Sequence, residues 1–380
     1  MDARISALAR RIGISRLANL TGLDRIGFPV VAAIRPISRN LTVSFGKGPT
    51  LEHAKLSAIM EAAELFYSEA PPHQPLTAEF SALAMGSALD PEKLGGFDPS
   101  IDMRQETFDW VQGFHVQSKQ PVLVPWQVIS MDFSVEARKH PRPLQFGATG
   151  LAADFDETRA ILHGLHEVVE RDCHNTWNNL DDDQREMTLL NHHTINDPEI
   201  DSLLASIHRA DLEVLIWDMT GSSDIPCYLA EILDDAPHAN TAYVQGAASS
   251  LSSRTALMKA LTEAVQIRLT YIAGSRDDLD WTDYGERYAA IVENRKWLTS
   301  QSPRKKRFQH NNLQFSAPEA ALHEALERLK MSGRENITVV RLSPQHEPVA
   351  VIKVIIPELL DTPDADDFRE PQYVSDQIFA

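Results

Sequence analysis

Apolar residues recur at helical spacing along several segments of this chain, most clearly between Asp156 and Trp177. The apolar positions of this segment follow the period of an amphipathic helix; they are Ala160, Ile161, Leu165, Val168 and Val169. Asp156 is a typical N-cap, because its carboxylate can accept from the free N–H groups of a first helical turn. The pattern predicts one long helix on which Glu167 and Glu170 share a face.

The same arrangement occurs three times along the chain. In each copy a capping residue is followed by Ala four positions later, by Glu seven positions after that, and by Glu or Gln three further on. The copies are Thr50, Ala54, Glu61, Glu64; Asp156, Ala160, Glu167, Glu170; and Ser252, Ala256, Glu263, Gln266. Each copy follows a short glycine-containing segment typical of a strand. We therefore predict one strand–loop–helix unit, used three times to direct acidic side chains to one place.

Short apolar runs bounded by Gly, Pro, Asn or Asp predict strands. They cover residues 27–36, 41–48, 108–118, 121–130, 212–220, 226–235, 241–249, 336–342 and 347–356. Helical periodicity predicts further helices over residues 1–22, 200–210, 281–298 and 317–331. Strands that neighbour each other in hairpins, with helices laid on their sheets, indicate the α+β class.

The 380 residues are enough for one or two domains. We predict a single domain over residues 1–360. Within it, residues 70–107 are rich in Pro, Gly, Ser and Asp and are expected to form a surface excursion with short helices. Residues 361–380 are expected to form an extended tail. The sequence is compatible with a homodimer.

The composition of the chain argues against two classes of binding partner. The formal net charge of −18 argues against nucleic acid or an anionic membrane, since both attract basic surfaces. No apolar run reaches the roughly 18–20 residues that a membrane-spanning helix needs. Two cysteines are too few for a disulfide framework or a four-cysteine zinc site, and a reduced cytoplasmic compartment fits them.

Most of the acidic candidates for a functional site are glutamates. The five that recur in the three units are Glu61, Glu64, Glu167, Glu170 and Glu263. If they converge, they cannot all be ionised without cations, because like charges at short range repel. Mg²⁺ suits them best, since it takes a few carboxylates while bridging substrate phosphates. The alternative for any single pair is an ordinary solvated helix face.

Basic residues lie in or beside the same three units. Lys47, Arg171 and Arg268 could meet phosphate oxygens, and glycine loops before helix N-termini favour anions. We interpret His163 and His166 as structural or surface groups. No zinc motif, P-loop or dinucleotide-binding glycine motif is present in the sequence.

Five segments of the chain, taken in order, resemble the YcaO family of ATP-dependent enzymes that modify peptide backbones. Residues 46–64 resemble the family's GKG segment with its S-x-x-x-E-x-x-E motif, and residues 109–129 its W-x-x-G and P-V-x-V-P segment. Residues 148–172 resemble its E-x-x-E-R helix, and residues 256–269 its third helix. Residues 350–359 resemble its closing strand. The resemblance covers about residues 15–360.

This resemblance implies an ATP site between the three helices. It implies that four residues hold Mg²⁺ against the phosphates: Glu61, Glu64, Glu167 and Glu170. It implies that Ser57, Arg171 and Arg268 contact nucleotide or phosphate, and it also places Lys47, Glu263 and Gln266 at the cofactor. No residue is assigned as catalytic in the narrow sense.

The resemblance also implies a reaction on a ribosomally made precursor peptide. A nucleophile adds to a backbone carbonyl, the oxyanion attacks the ATP γ-phosphate, and phosphate then leaves. A neighbouring Cys, Ser or Thr side chain gives an azoline, which is the cyclodehydratase outcome, whereas external sulfide gives a thioamide. The chain is most similar to members that work with a TfuA-type partner, so a TfuA-like or leader-peptide-binding protein is expected to present the precursor. The alternatives are a non-catalytic scaffold of a modification complex, or another ATP-using ligase or kinase.

Overall fold

The computed structural model describes most of the chain. The described residues are 2–94, 101–138, 144, 147–234, 243–276, 295, 306–311 and 313–359. The predicted helix at 281–298, apart from residue 295, and the predicted tail at 361–380 lie outside the described residues.

Three long helices and several shorter ones are present in this part of the chain. The α-helices are α1 (Ala3–Arg11), α2 (Leu51–Glu69), α3 (Trp126–Ile129), α4 (Val135–Arg138), α5 (Glu157–Asn178), α6 (Asp182–Thr188), α7 (Pro198–Arg209), α8 (Ser253–Ala273) and α9 (Pro318–Met331). Short 3₁₀ segments cover Thr21–Leu23, Phe80–Ala82, Pro91–Lys93, His192–Thr194 and Pro357–Leu359.

The strands are mostly short and lie between these helices. They are β1 (Arg16–Asn19), β2 (Val30–Ile34), β3 (Val43–Lys47), β4 (Leu76–Glu79), β5 (Thr107–His115), β6 (Pro121–Pro125), β7 (Leu151–Asp154), β8 (Leu190–Asn191), β9 (Glu213–Asp218), β10 (Cys227–Leu233), β11 (Tyr243–Ser249), β12 (Lys306–Arg307), β13 (Thr338–Arg341) and β14 (Ala350–Ile355).

These strands form antiparallel sheets on which the long helices lie. One sheet has the order β1-β2-β3 and another β11-β10-β9. The largest runs β4-β5-β13-β14-β7, with β6 also paired to β5. The two-residue strands β8 and β12 pair in parallel. The predicted α+β class is confirmed.

The predicted unit of capping residue and long helix is present three times. The side chains of Thr50, Asp156 and Ser252 each accept a hydrogen bond from the N–H group three residues on, at the starts of α2, α5 and α8. Each cap satisfies one of the free donors of its helix start, which fixes where the helix begins.

Glycines let the strands approach these helices closely. A Cβ built on Gly46 of β3 would lie 2.0 Å from the backbone nitrogen of Ala58, and one on Gly246 of β11 would lie 2.1 Å from that of Ala264. Gly150, before β7, has φ +82° and leaves no room for a Cβ beside the Val354 carbonyl. Only glycine fits at such distances.

Each long helix is anchored in a different buried cluster. Val168 of α5, Ile59 of α2 and Leu261 of α8 are all fully buried and belong to three separate groups of core residues. The three helices are thus held by three cores rather than by one, and their remaining faces are left to meet each other.

The sequence prediction and the structure differ at several places in the described chain. Residues 1–22 do not form one helix, because α1 ends at Arg11 and β1 then pairs with β2. The second half of the predicted strand 121–130 is the short helix α3. Within the predicted excursion 70–107, the segment Leu76–Glu79 joins the largest sheet as an edge strand beside β5.

Candidate functional site

Helices α2, α5 and α8 converge on a cavity of about 1260 Å³. Counted from each cap, the residues at the seventh, eleventh and fourteenth positions lie on one helix face. All nine of these residues line the cavity: Ser57, Glu61 and Glu64; His163, Glu167 and Glu170; Lys259, Glu263 and Gln266. The repeated spacing therefore brings distant carboxylates to one place.

The three units pack as a closed ring. Helix α2 lies on its own preceding strand β3 and also contacts β7, which precedes α5. In the same way α5 lies on β7 and contacts β11, and α8 lies on β11 and contacts β3. Each helix thus rests on its own strand and on the strand of the next unit.

Backbone N–H groups in or next to these strands orient the carboxylates. Phe45 donates to Glu61 at 3.3 Å, and Gly150 donates to Glu167 at 3.2 Å. Ala153 of β7 donates to Glu64 of α2 at 2.8 Å, so that bond joins two neighbouring units. One oxygen of each carboxylate is held by the scaffold in this way.

Lys47 links the first unit to the third. It ends β3, and its ammonium forms an ion pair with Glu263 of α8. The same ammonium lies 3.3 Å from the amide oxygen of Gln266. The charge of Lys47 is therefore already balanced by a carboxylate before any ligand binds.

Burial makes the ionised form of these carboxylates costly. It is the largest cause that raises the pKa of Glu61 to about 7, with the charge of Glu263 next. Burial likewise raises the pKa of Glu170 to about 8. The pKa of Glu64 lies well above its usual value because of burial and then the charges of Glu167 and Glu61. Burial also raises the pKa of Glu167, against the attraction of Arg171. Added positive charge would relieve this repulsion.

The donor set of this site matches Mg²⁺ bound together with phosphates. Within the described residues, no three His, Cys, Asp or Glu side chains form a metal site built from protein ligands alone. Mg²⁺ does not need one, because it keeps several waters and takes one or two carboxylates beside substrate phosphates. Glu64 with Glu167, and Glu167 with Glu170, are coupled by mutual repulsion and are suitable carboxylate pairs.

A model of the YcaO family, described as an ATP- and Mg²⁺-binding cyclodehydratase, matches residues 45–360. The chain belongs to the YcaO family. The resemblance expected from the sequence is confirmed, and the predicted cofactors ATP and Mg²⁺ are those that the family description names.

Among curated proteins, this YcaO chain is 32% identical over 369 residues to an uncharacterised protein in the tfuA 3′ region of Rhizobium leguminosarum bv. trifolii. The alignment covers 94% of this chain and 86% of the relative. The two proteins are therefore similar over nearly their whole lengths.

Solved structures share the YcaO fold. A heterocyclase in complex with substrate and cofactor matches with TM-score 0.73 and 17% identity, over 93% of this chain and 52% of that one. This chain thus spans about half the length of that heterocyclase. YcaO from Methanopyrus kandleri, bound with AMPPCP and Mg²⁺, matches with TM-score 0.69 and 22% identity, over 94% of this chain and 88% of that one.

Two arginines predicted for the YcaO site have different positions. Arg171 lines the cavity, with its Nε 3.8 Å from a Glu170 carboxylate oxygen. Arg268 does not line it. Its buried guanidinium pairs with Asp24 at 3.2 Å and with Asp234 at 2.9 Å. These ion pairs tie α8 to the loop before β2 and to the end of β10. Every other predicted site residue lies on the cavity wall.

Sequence reasoning missed several residues near the site. His163 and His166, interpreted as structural or surface groups, line the cavity, and burial lowers the pKa of each imidazole to about 3. Lys259 also lines it. Buried Lys353 of β14 donates to the Gly147 carbonyl at 2.7 Å, in the loop that leads to Glu167. A signal was available for His163 and Lys259, which occupy the repeat position of Ser57.

In the described part of the chain, no helix combines the length and apolarity needed to cross a membrane.

Proposed function

We propose that this YcaO protein uses ATP and Mg²⁺ to activate a backbone amide of a ribosomally made peptide. The observation that carries this proposal is the convergence of the glutamates from α2 and α5 with Lys47 and Glu263 on one cavity. Such a site offers metal-binding carboxylates and cations together, which is the combination that phosphoryl chemistry uses.

Each residue predicted for the site has a role in this proposal. Glu61, Glu64, Glu167 and Glu170 supply the carboxylates from which Mg²⁺ would take one or two, and the bound ion would neutralise phosphate charge. Ser57 and Arg171 contact nucleotide or phosphate, and Lys47, Glu263 and Gln266 form the third wall beside it. Arg268, predicted to contact nucleotide or phosphate, lies off the cavity wall, and its ion pair with Asp24 supports a role in fixing the loop before β2.

The size of the cavity supports a second substrate. Its volume of about 1260 Å³ exceeds the roughly 300–1,000 Å³ that is usual for a pocket holding one small molecule. Apolar side chains such as Phe28, Met60 and Leu203 lie on its wall beside the charged ones. A nucleotide and a peptide segment can therefore meet there, with the amide oxygen in line with the γ-phosphate.

The proposed reaction balances as follows. A nucleophile that has given its proton to solvent forms a bond to the carbonyl carbon, and the π electron pair of the C=O double bond moves to oxygen. That oxygen takes the γ-phosphoryl group while ADP leaves. Loss of phosphate, together with the proton of the nitrogen or of the nucleophile, then forms the C=N bond of an azoline or the C=S bond of a thioamide.

The nucleophile decides between two products. A neighbouring Cys, Ser or Thr side chain gives an azoline, as expected of a cyclodehydratase. External sulfide gives a thioamide, and this alternative is favoured by the relative in the tfuA 3′ region. For the same reason we propose that a TfuA-type or leader-peptide-binding partner presents the precursor.

Reconstitution with a precursor peptide, ATP and Mg²⁺, with or without sulfide and the TfuA-type partner, tests this function. Mass spectrometry should show loss of one water for an azoline, or exchange of one oxygen for sulfur for a thioamide. Addition of a phosphoryl group would instead indicate a kinase.

The Glu167→Gln variant separates an enzyme from a scaffold. We expect peptide-dependent phosphate release to fall roughly 10- to 100-fold, the loss seen when a group that supports a metal is removed. Glu52→Gln is the matched control, since Glu52 lies on exposed α2 surface and pairs with Lys55. Equal rates of phosphate release in the wild type and in Glu167→Gln would contradict a catalytic role.

A further inference from the structure

We propose that Lys353 is a positioning residue of the acidic site and that it acts through Glu167. Its buried ammonium fixes the loop of residues 147–150, and this loop fixes the carboxylate that meets the metal. The inference rests on the proposed function, because it assumes that Glu167 takes part in binding Mg²⁺ beside a nucleotide. It adds a residue to which neither the repeat nor the family resemblance assigned a role.

Lys353 interrupts a strand that is otherwise apolar. Strand β14 has the sequence AVIKVI, and all six residues are buried. Successive residues of a strand face opposite sides of its sheet. Ile352 and Val354 on one face pack into one buried cluster. Val351 and Ile355 share the face of Lys353 and pack into another. An apolar side chain would suit the core at position 353, yet the chain has an ammonium there.

An ammonium inside a protein is costly unless a specific interaction compensates for its lost hydration. Lys353 is only 2% exposed. Burial lowers the pKa of Lys353 to about 8, against the attraction of the Glu167 carboxylate. Packing alone does not account for a charged group at this position, so its role lies in the groups that the ammonium contacts and attracts.

The ammonium of Lys353 holds one end of the loop of residues 147–150. It donates to the Gly147 carbonyl at 2.7 Å. At the other end of the loop, the N–H group of Val354 donates to the Gly150 carbonyl at 2.8 Å. Strand β14 thus fixes this loop at both ends, through two neighbouring residues.

The same loop sets the position of Glu167. The N–H group of Gly150 donates to a carboxylate oxygen of Glu167 at 3.2 Å. Helix α5 lies directly against this end of the loop, since a Cβ built on Gly164 would lie 2.6 Å from the Gly150 carbonyl oxygen. Because the loop is short, releasing its Gly147 end would let the Gly150 donor move and would free the carboxylate.

Charge acts in the same direction as this hydrogen bonding. Lys353 attracts the Glu167 carboxylate, whose ionised form burial makes unfavourable. Arg171 attracts it more strongly, but Arg171 lies on the cavity wall, where a ligand can contact it. Lys353 does not line the cavity. Its attraction therefore comes from within the protein, as is typical of groups that orient a metal ligand.

Calorimetric titration with AMPPCP and Mg²⁺ (Mg·AMPPCP) tests this role without requiring turnover. For Lys353→Met, which keeps most of the side chain's length and removes its charge, we expect Mg·AMPPCP affinity roughly 10- to 100-fold weaker than wild type. Lys353→Leu, which continues the apolar pattern of β14, is a second variant with the same expected loss.

Thr338→Val is the matched control. It also replaces a buried polar residue of the same sheet, in the neighbouring strand β13, at a position that does not line the cavity. Its affinity for Mg·AMPPCP should equal that of the wild type.

A double-mutant cycle shows whether Lys353 acts through Glu167. Once Glu167→Gln has removed the charge that Lys353 attracts, adding Lys353→Met should weaken Mg·AMPPCP affinity by less than about threefold further. A residue that only supports the fold would cause its full loss of affinity in both backgrounds.

The outcomes separate this inference from the proposed function. Unchanged Mg·AMPPCP affinity in folded Lys353→Met and Lys353→Leu proteins would overturn the role of Lys353 and leave the proposed function standing. Equal losses with and without Glu167→Gln would also overturn it. If the wild type failed to bind Mg·AMPPCP at all, the proposed function would fall, and this inference with it. Thermal unfolding of each variant shows whether it is folded.

Discussion

The surroundings of Glu64 make the ionised form of its carboxyl group unfavourable. Its carboxylate accepts from Ala153, while burial and two neighbouring glutamates raise its pKa well above the usual value. An amide of the same shape can keep the hydrogen bond and removes the repulsion. For Glu64→Gln at pH 8 without metal, we expect a gain of about 1 kcal/mol in the free energy of unfolding, measured by denaturant titration.

The same substitution should weaken the proposed metal site. Mg²⁺-dependent nucleotide binding in Glu64→Gln is expected to fall roughly 10- to 100-fold, so stability and binding move in opposite directions. Glu52→Gln on the same helix, where the side chain is exposed, should change neither quantity. A Glu64→Gln protein that is less stable than wild type would show that the charge is not strained.

At the residue scale, sequence reasoning found the acidic wall because identical offsets are visible in one dimension. It could not foresee that Arg268 lies off the cavity wall, because only the folded chain reveals that Asp24 and Asp234 surround its guanidinium. It missed Lys353 for the same reason: a lysine inside the apolar strand AVIKVII gives no hint that it reaches the Gly147 carbonyl.

At the scale of elements, contact between strand and helix depends on glycine. A Cβ on Gly246 would meet the backbone of Ala264 at 2.1 Å, and neither backbone can yield without moving α8 away from β11. We expect Gly246→Ala to destabilise the protein by about 1–3 kcal/mol, measured by thermal or denaturant unfolding, and to lower nucleotide binding because Glu263 moves with the helix.

Gly22→Ala is the control for this effect. A Cβ at Gly22 would meet no atom within 4 Å, so its stability should stay the same or rise slightly through the reduced entropy of the unfolded chain. If both substitutions had equal effects, the close approach at Gly246 would not matter to stability.

The long helices were predictable because caps, periodicity and glycine-marked strands all agree at Thr50, Asp156 and Ser252. The shorter elements were not. Strand β1 is only four residues long and partly exposed, so it lacks the alternation that marks a strand and depends on its pairing with β2. Helix α3 could not be predicted because the residues after Pro125 are as apolar as those of the strand before it.

For the whole molecule, the buried carboxylates predict how stability depends on pH. The pKa of Glu61 is raised to about 7 and that of Glu170 to about 8 in the folded protein. Their contribution to the free energy of unfolding is therefore complete below the pKa of a glutamate in the unfolded chain, and it is lost as pH rises through 7 to 8. His163 and His166, with pKa values lowered to about 3, act in the opposite direction only below about pH 6.5, the usual value for histidine.

Between pH 6.5 and 8 the glutamates should therefore dominate the trend, because Lys353, whose pKa burial lowers to about 8, opposes them only near the upper end of this range. We expect the metal-free protein to lose about 1–3 kcal/mol of stability over this range, and Mg·AMPPCP to restore it increasingly as pH rises. Thermal unfolding at several pH values, with and without Mg·AMPPCP, measures both effects. Stability that is constant or rises over this interval without ligand would contradict the prediction.

The cyclic packing of the three units has a consequence for shortened forms of this protein. Because every helix also rests on the strand of the following unit, deleting one unit takes a support from a second and a wall from the cavity. A two-unit fragment would therefore lose the binding chamber entirely rather than keep two thirds of it. Duplicated segments arranged in this way become interdependent, and none of them can be dispensed with separately.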